Sequence, residues 1–311
     1  MRTLICAAAV FGLSFVPAFG IGEVSAQQFV KPRAAATVAS RDWSADKMGQ
    51  ILDRALTFRS EAKYAEATIE ILSLWDCPIE QVDDEMHQIR GMAAFFAEGI
   101  TEEHAPSQRA FFKLRERLGQ ELQSDEVDLF TVHDWVRMNG VIDDGATSMY
   151  FYDHIKNNPE AASMLQITAP SLVFQAFDER RWDVLAELVT DPATAAQNLL
   201  EISVPMLGVT EEQLGCHPFD APEWVAGLLQ NQIIAALHTD DNGAKERELI
   251  KVFETNMKGH DAWRVTFIYY ARMCGKVRKD HLEWLGEYNL LTKFAHDPTI
   301  MQLKAGARSS R

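Results

Sequence analysis

The sequence predicts an all-α protein built of stacked antiparallel helix pairs, a solenoid or a helical bundle. Three observations carry this. Apolar residues recur at helical spacing: Met48, Ile51, Leu52, Ala55 and Leu56 fall on one stripe, as do Phe111, Leu114, Leu118 and Leu122. Val225, Leu228, Leu229, Ile233 and Ala236 form another stripe, and so do Leu249, Val252, Phe253 and Met257. Such spacing places each set on one face of a helix, where it can be buried. Alternating runs long enough for a half-buried strand are missing. Finally, Asn158-Pro159, Asp191-Pro192 and Asp297-Pro298 each set a capping side chain before a proline. The side chain accepts a bond from a free N–H of the first turn, and proline there loses no helical donor.

The elements follow in chain order. Arg2 precedes an apolar run from Leu4 to Val16, and Val24-Ser25-Ala26 then offers a small-residue cleavage site. This is the order of a secretory signal peptide over residues 1–26, cut after Ala26. The run is too short to span a bilayer, which takes about 20 apolar residues. Cys6 lies too early to carry a lipid anchor. Residues 27–43 have no sustained period and are expected to form a flexible lead-in. A helical, repeat-like domain is expected over 44–304, and a flexible tail over 305–311. Helix boundaries are expected near Ser44, Pro78, Ser124, Gly140, Glu179, Gly259 and Gly275. They divide the chain into about a dozen helices joined by short loops.

Composition bounds the partners. The chain carries a formal net charge of −15, which removal of residues 1–26 leaves unchanged because Arg2 and Glu23 cancel. So acidic a surface repels nucleic acid and anionic lipid. The basic stretch Lys276 to Lys279 reads as a solvated helix face. With 47% hydrophobic residues and 7 Trp, the chain can bury a sizeable core. Cys77, Cys216 and Cys274 are too few and too widely spread for a disulfide scaffold. An oxidising compartment permits one bridge among them, and burial of all three as thiols fits equally. The absence of any Asn-x-Ser/Thr sequon favours a bacterial envelope, so the expected location is periplasmic or secreted.

Two features point to repeats. Asn158 and Asp191 are 33 residues apart, and the interval holds two helix-sized segments separated at Asp178-Glu179. The run Ala62-Lys63-Tyr64-Ala65-Glu66-Ala67, ending at Cys77-Pro78, has an aromatic followed three places later by alanine, with Ala55 and Phe58 in the preceding helix. Small residues let two helices approach and aromatics fill the groove beside them. Over residues 48–78 this resembles the tetratricopeptide repeat, with Arg54 and Ile71 departing from its usual residue types. The resemblance implies stacked helix pairs and a concave face that binds a protein or peptide.

Local catalytic signatures are absent. There is no phosphate-binding glycine loop, no Gly-x-Ser-x-Gly, no His-Glu-x-x-His and no Cys-x-x-Cys, so the sequence implies no catalytic residue, metal or cofactor. Three clusters could still carry chemistry. His133-Asp134-Trp135 and Tyr150-Phe151-Tyr152-Asp153-His154 lie on two helices joined near Val141 to Asp144. In an antiparallel pair, residues whose numbers add to about 283 face one another, which sets His133 beside Tyr150 and a turn from His154. Such a cluster could hold a ligand or metal, or it could be core with hydrogen-bonded histidines at the edge. Cys216-His217, between Gly215 and Pro218, reads as a loop rather than a nucleophile and base. His238 to Gly243 resembles part of a calcium loop, but its twelfth place is Leu249, so it reads as a turn capping the next helix.

The sequence therefore points to an exported, soluble helical-repeat protein that binds a protein or peptide, without a nucleic-acid partner or a membrane span in the mature chain. The alternative is an all-α enzyme or a small-ligand or metal binder using the His133/His154 region. A structural envelope component is a third possibility.

Overall fold

The structure, a computed structural model, describes residues 43–123, 127–203, 227–239, 243–293, 295–296 and 300–301. The expected signal peptide, nearly all of the lead-in, the tail, Val225, Cys216-His217, Ser124 and Asp297-Pro298 lie outside the described residues. Within the described residues the fold is all-helical and contains no strand. No helix among them is long and apolar enough to cross a membrane. The helices gather into two compact units that meet in sequence at Glu179 and Arg180.

The first unit holds α1 (Ala45–Ser60), α2 (Tyr64–Ser73), α3 (Asp84–Glu103), α4 (Ala105–Glu121), α5 (Leu129–Val141), α6 (Gly145–Ile155) and α7 (Ala162–Asp178). Short polar side chains start several of them. Ser44 Oγ accepts from the Lys47 N–H, Asp83 Oδ1 from Met86, and Asp128 Oδ1 from Phe130 and Thr131. Asn158 caps as expected, but first through a short 3-10 turn over Pro159–Ala161. Turns close with residues in the left-handed region, Ala62 at φ 57° and Asp143 at φ 60°. Pro170 lies inside α7.

Packing follows one rule. α1 packs on α2 and α3, α2 on α4, α3 on α4 and α5, α4 on α5, and α5 and α6 on α7. Each helix thus touches its sequence neighbour or the next but one. The odd helices α1, α3, α5 and α7 consequently lie side by side in one layer. That is the packing of stacked helix pairs. The first pair seats Ala55 and Ala67 at the contact, both essentially solvent-free. Arg54, where an apolar residue was expected, grips Glu70 of α2 with Nε and Nη2 at 3.2 and 2.8 Å. Ile71 takes its place in the core.

The second unit holds α8 (Trp182–Leu188), α9 (Pro192–Ser203), α10 (Gln230–His238), α11 (Ala244–Asn256), α12 (Ala262–Met273), α13 (Lys279–Glu287) and α14 (Leu290–Lys293). Asp191 caps α9 by accepting from the Thr194 N–H at 2.9 Å, and that bond holds its carboxyl below the usual range. Gly259 and Gly275 close α11 and α12 at positive φ, as the sequence suggests. Phe253, Trp263, Phe267 and Trp284 meet edge to face in the core. Of the basic stretch, Lys276 to Arg278 form the loop into α13 rather than a helix face, Lys279 opens that helix, and Arg278 bonds Glu246. His281 Nε2 lies 2.6 Å from the same carboxylate, and its Nδ1 accepts from the Arg278 N–H.

Candidate functional site

The sequence pairs His133 with His154 across the α5–α6 turn. The structure does not bring them together. His133 is buried and faces α3 and α7, whereas His154 is exposed and bonds the Tyr150 carbonyl of its own helix. Tyr150 is 67% exposed. The contacts that α5 does make with α6 are Trp135 edge-on to Phe151 and Asn139 Nδ2 donating to Ser148 Oγ at 3.0 Å. The reason is the layer rule: α5 packs more extensively against α3, α4 and α7 than against its hairpin partner. The His133/His154 metal or ligand cluster is therefore not formed.

A different cluster surrounds Asp134, which is fully buried on α5. Its Oδ2 accepts from Trp75 Nε1 at 2.9 Å and from Arg90 Nη1 at 3.0 Å. Arg90 also donates to the Leu74 and Cys77 carbonyls, so one buried guanidinium closes the turn that follows α2. Arg137, one turn after Asp134, lies 3.6 Å from Oδ1. It fits because α3 carries Gly91: a Cβ there would stand 2.8 Å from Arg137 Nη2. A buried charge is stable only when paired and bonded in this way.

The histidines complete the cluster. Arg137 Nη1, which can only donate, lies 3.2 Å from His87 Nε2, so we assign that nitrogen as the acceptor. His133 Nδ1–H then donates to it at 2.9 Å, and His133 Nε2 accepts from Ser171 Oγ–H at 3.0 Å. The remaining His87 Nδ1–H faces Asp134 Oδ1 at 3.8 Å, and neither atom has a hydrogen bond. The order is hydroxyl, imidazole, imidazole, carboxylate, running from α7 through α5 to α3 and back to α5.

This order resembles a nucleophile with its base, but the electrostatics oppose that use. Burial, then Arg137 and Arg90, push His87 down to about 2. Burial, then Arg137 and His87, hold His133 well below its ordinary value. Burial likewise raises Asp134 against the pull of Arg90 and Arg137, and lowers Arg137 to about 10. A base must accept a proton during the reaction, and a second cation beside two guanidiniums is strongly disfavoured. The network ties α3, α5 and α7 together as neutral rings around one ion-paired carboxylate.

The same three helices also carry an unneutralised region. Glu98 and Glu102 lie one turn apart on α3, Asp143 in the turn after α5, and Asp178 and Glu179 at the end of α7. Glu98 is open to water, yet its carboxyl is pushed up to about 7 by desolvation first, then by Asp178 and Glu102. Asp178 is raised by burial, then by Asp143 and Glu179. No lysine or arginine among the described residues pairs with any of these five carboxylates.

The other sequence candidates place as follows. Cys77 is buried and Cys274 half-buried, both free thiols, and burial pushes Cys274 up to about 11. Gly243, at φ 75°, starts α11, and Leu249 is fully buried in the core, where it cannot serve as a ligand. Sequence reading missed His87, Arg90 and Arg137. Arg90 stands in the apolar stripe of Met86, Ile89, Ala93 and Ala94. A charge within such a stripe announces a buried ion pair. No known protein family, curated protein or solved structure matches this chain.

Proposed function

We propose that this chain is an exported helical scaffold whose odd-helix layer binds a protein or peptide segment. The observation that carries the reading is the side-by-side packing of α1, α3, α5 and α7, with long polar side chains laid over glycines of the adjacent helix. Arg59 of α1 lies over Gly99 of α3, Arg137 of α5 over Gly91 of α3, and Gln175 of α7 over Gly140 of α5. These glycines are part-exposed, and the side chains over them give the layer a polar covering. Stacked helix pairs commonly use such a layer for extended ligands, which supports the reading by analogy of fold. Export rests on the sequence from Arg2 to Ala26, and the tetratricopeptide likeness of residues 48–78 agrees with the layered packing.

The test places a photo-crosslinking residue at Phe174, which is 42% exposed on α7, one turn after Ser171. The expected outcome is a discrete crosslinked partner in envelope extracts, absent when the crosslinker sits at Leu282 of the second unit. Turnover of a small substrate by the isolated chain, with no crosslinked partner, would overturn the reading.

A further inference from the structure

We propose that the outer face of α2 and α4 docks an acidic, amphipathic segment of another protein. This face belongs to the even helices and is separate from the odd-helix layer treated above. Two contacts set its register. Thr68 Oγ1 lies 2.6 Å from Ser107 Oγ, and further along Arg117 Nη2 donates to the Trp75 carbonyl, in the turn after α2, at 3.1 Å. The two positions advance together, so α2 and α4 run parallel. Ile69 then stands level with Arg109, and Leu72 level with Phe112 and Lys113.

The charges on this face are unmatched. Arg109, Lys113 and Arg117 are exposed and four residues apart, which sets them in one row along α4. No carboxylate among the described residues pairs with any of the three. Arg115 shows the alternative on the same helix, since it pairs with Glu116 at 2.9 Å and Asp144 at 3.0 Å. The chain has 45 Asp and Glu against 30 Lys and Arg, so acids to neutralise a cation are plentiful. This row nevertheless keeps its positive charge.

Apolar surface borders the row on both sides. Ile69 is 68% exposed and Phe112 is 45% exposed. Arg117 reaches toward α2, whereas Arg115 reaches toward Asp144 at the start of α6. Phe112 lies on the Arg115 flank, with that guanidinium 4.9 Å from its ring centroid, which holds the ring in place. Ile69 borders the opposite flank. Exposed apolar groups rimmed by charge mark a docking surface more often than a solvated one.

Complementarity names the occupant. A segment with carboxylates one helical turn apart reaches the row, and its apolar residues cover Ile69 and Phe112. An anionic bilayer fits less well. It would meet a chain of net charge −15 over a broad area, whereas a single segment meets the row alone.

The experiment titrates the chain into a fluorescein-labelled peptide of about sixteen residues, with glutamate at every fourth place and leucine and alanine between. Anisotropy is expected to report saturable binding that weakens about tenfold in the double variant R109Q/K113Q and severalfold in Ile69→Ser. K251Q/K258Q removes the same charge from exposed sites on and after α11 and is expected to leave affinity unchanged. Arg109 and Lys113 give up no ion pair when changed, and circular dichroism checks the fold of each variant. Raising the salt is expected to weaken binding by the parent more than by R109Q/K113Q. Equal weakening in both doubles would reduce the effect to net charge and overturn the proposal. Equal binding of a peptide with lysine in place of glutamate would leave only apolar adhesion and overturn it too. Phosphatidylglycerol vesicles bound through Arg109 and Lys113, with no peptide binding, would assign the face to a membrane. A dimer in sedimentation that R109Q/K113Q dissociates would assign it to a second copy. Either result overturns the proposal, and neither touches the Phe174 crosslink on α7.

Discussion

Two clusters of ionisable residues share α3, α5 and α7 and solve opposite problems. Around Asp134 the charges are buried and satisfied: two guanidiniums and an indole N–H surround one carboxylate, and the imidazoles stay neutral. Around Glu98, at the other end of α3, five exposed carboxylates have no paired lysine or arginine among the described residues. The first cluster makes its bonds within the unit and leaves only His87 Nδ1 and Asp134 Oδ1, 3.8 Å apart, without one. The second leaves its carboxylates without a paired lysine or arginine among the described residues. The contrast teaches that burial alone does not mark a site.

The largest expected effect comes from the sealed cluster. Asp134→Ala leaves Arg90 and Arg137 buried without their anion, and is expected to destabilise the first unit by about 3–5 kcal/mol in urea denaturation. Loss under 1 kcal/mol would show that the guanidiniums escape to water (about the value of a surface pair).

Acid should separate the clusters in sign. His87 in the folded chain binds its proton only near 2, against 6.5 when free, so the unfolded state gains protons first as the pH falls. The stability this neutral ring contributes is present above 6.5 and is lost progressively below it. His133 acts in the same direction. Glu98 does the reverse: its folded value of about 7 exceeds the ordinary 4.5, so its contribution worsens as the pH rises from 4.5 through 7. Melting curves should therefore show acid loss below pH 6.5 that E98Q does not abolish. At pH 8, E98Q should melt higher than the parent. A parent and E98Q that melt together at pH 8 would mean the Glu98 carboxyl is not raised in the folded chain.

Smaller effects probe the glycine contacts and turns. Gly91→Ala forces Arg137 from its seat and is expected to cost about 1–3 kcal/mol, less than the loss of Asp134 because the guanidinium tip can shift. Ala62→Gly, at φ 57° between α1 and α2, should stabilise by under about 1 kcal/mol, since glycine adopts this backbone without strain.

Much of the fold was legible in the sequence. Ser44, Asn158 and Asp191 cap where their side-chain chemistry indicates, and Phe111, Leu114, Leu118, Leu249 and Phe253 are buried as their spacing requires. The site was not legible in the same way. Periodicity fixes which face of a helix is apolar, but not which other helix covers it. The hairpin argument therefore gave His133 to α6, when the layer gives it to α3 and α7. Arg90 was hidden because it finds its anion in Asp134, 44 residues away in sequence. Glu98 carries no motif, and Asp178 marks only a helix boundary until the fold brings their helix ends together.

The most direct test of the central claim, that the Asp134 network ties α3, α5 and α7 into one unit, is hydrogen exchange of the parent chain against Asp134→Ala. The account predicts that the variant loses protection in α3, α5 and α7 together, with the second unit unchanged. Loss confined to α5, or no loss in any of the three helices, would contradict it.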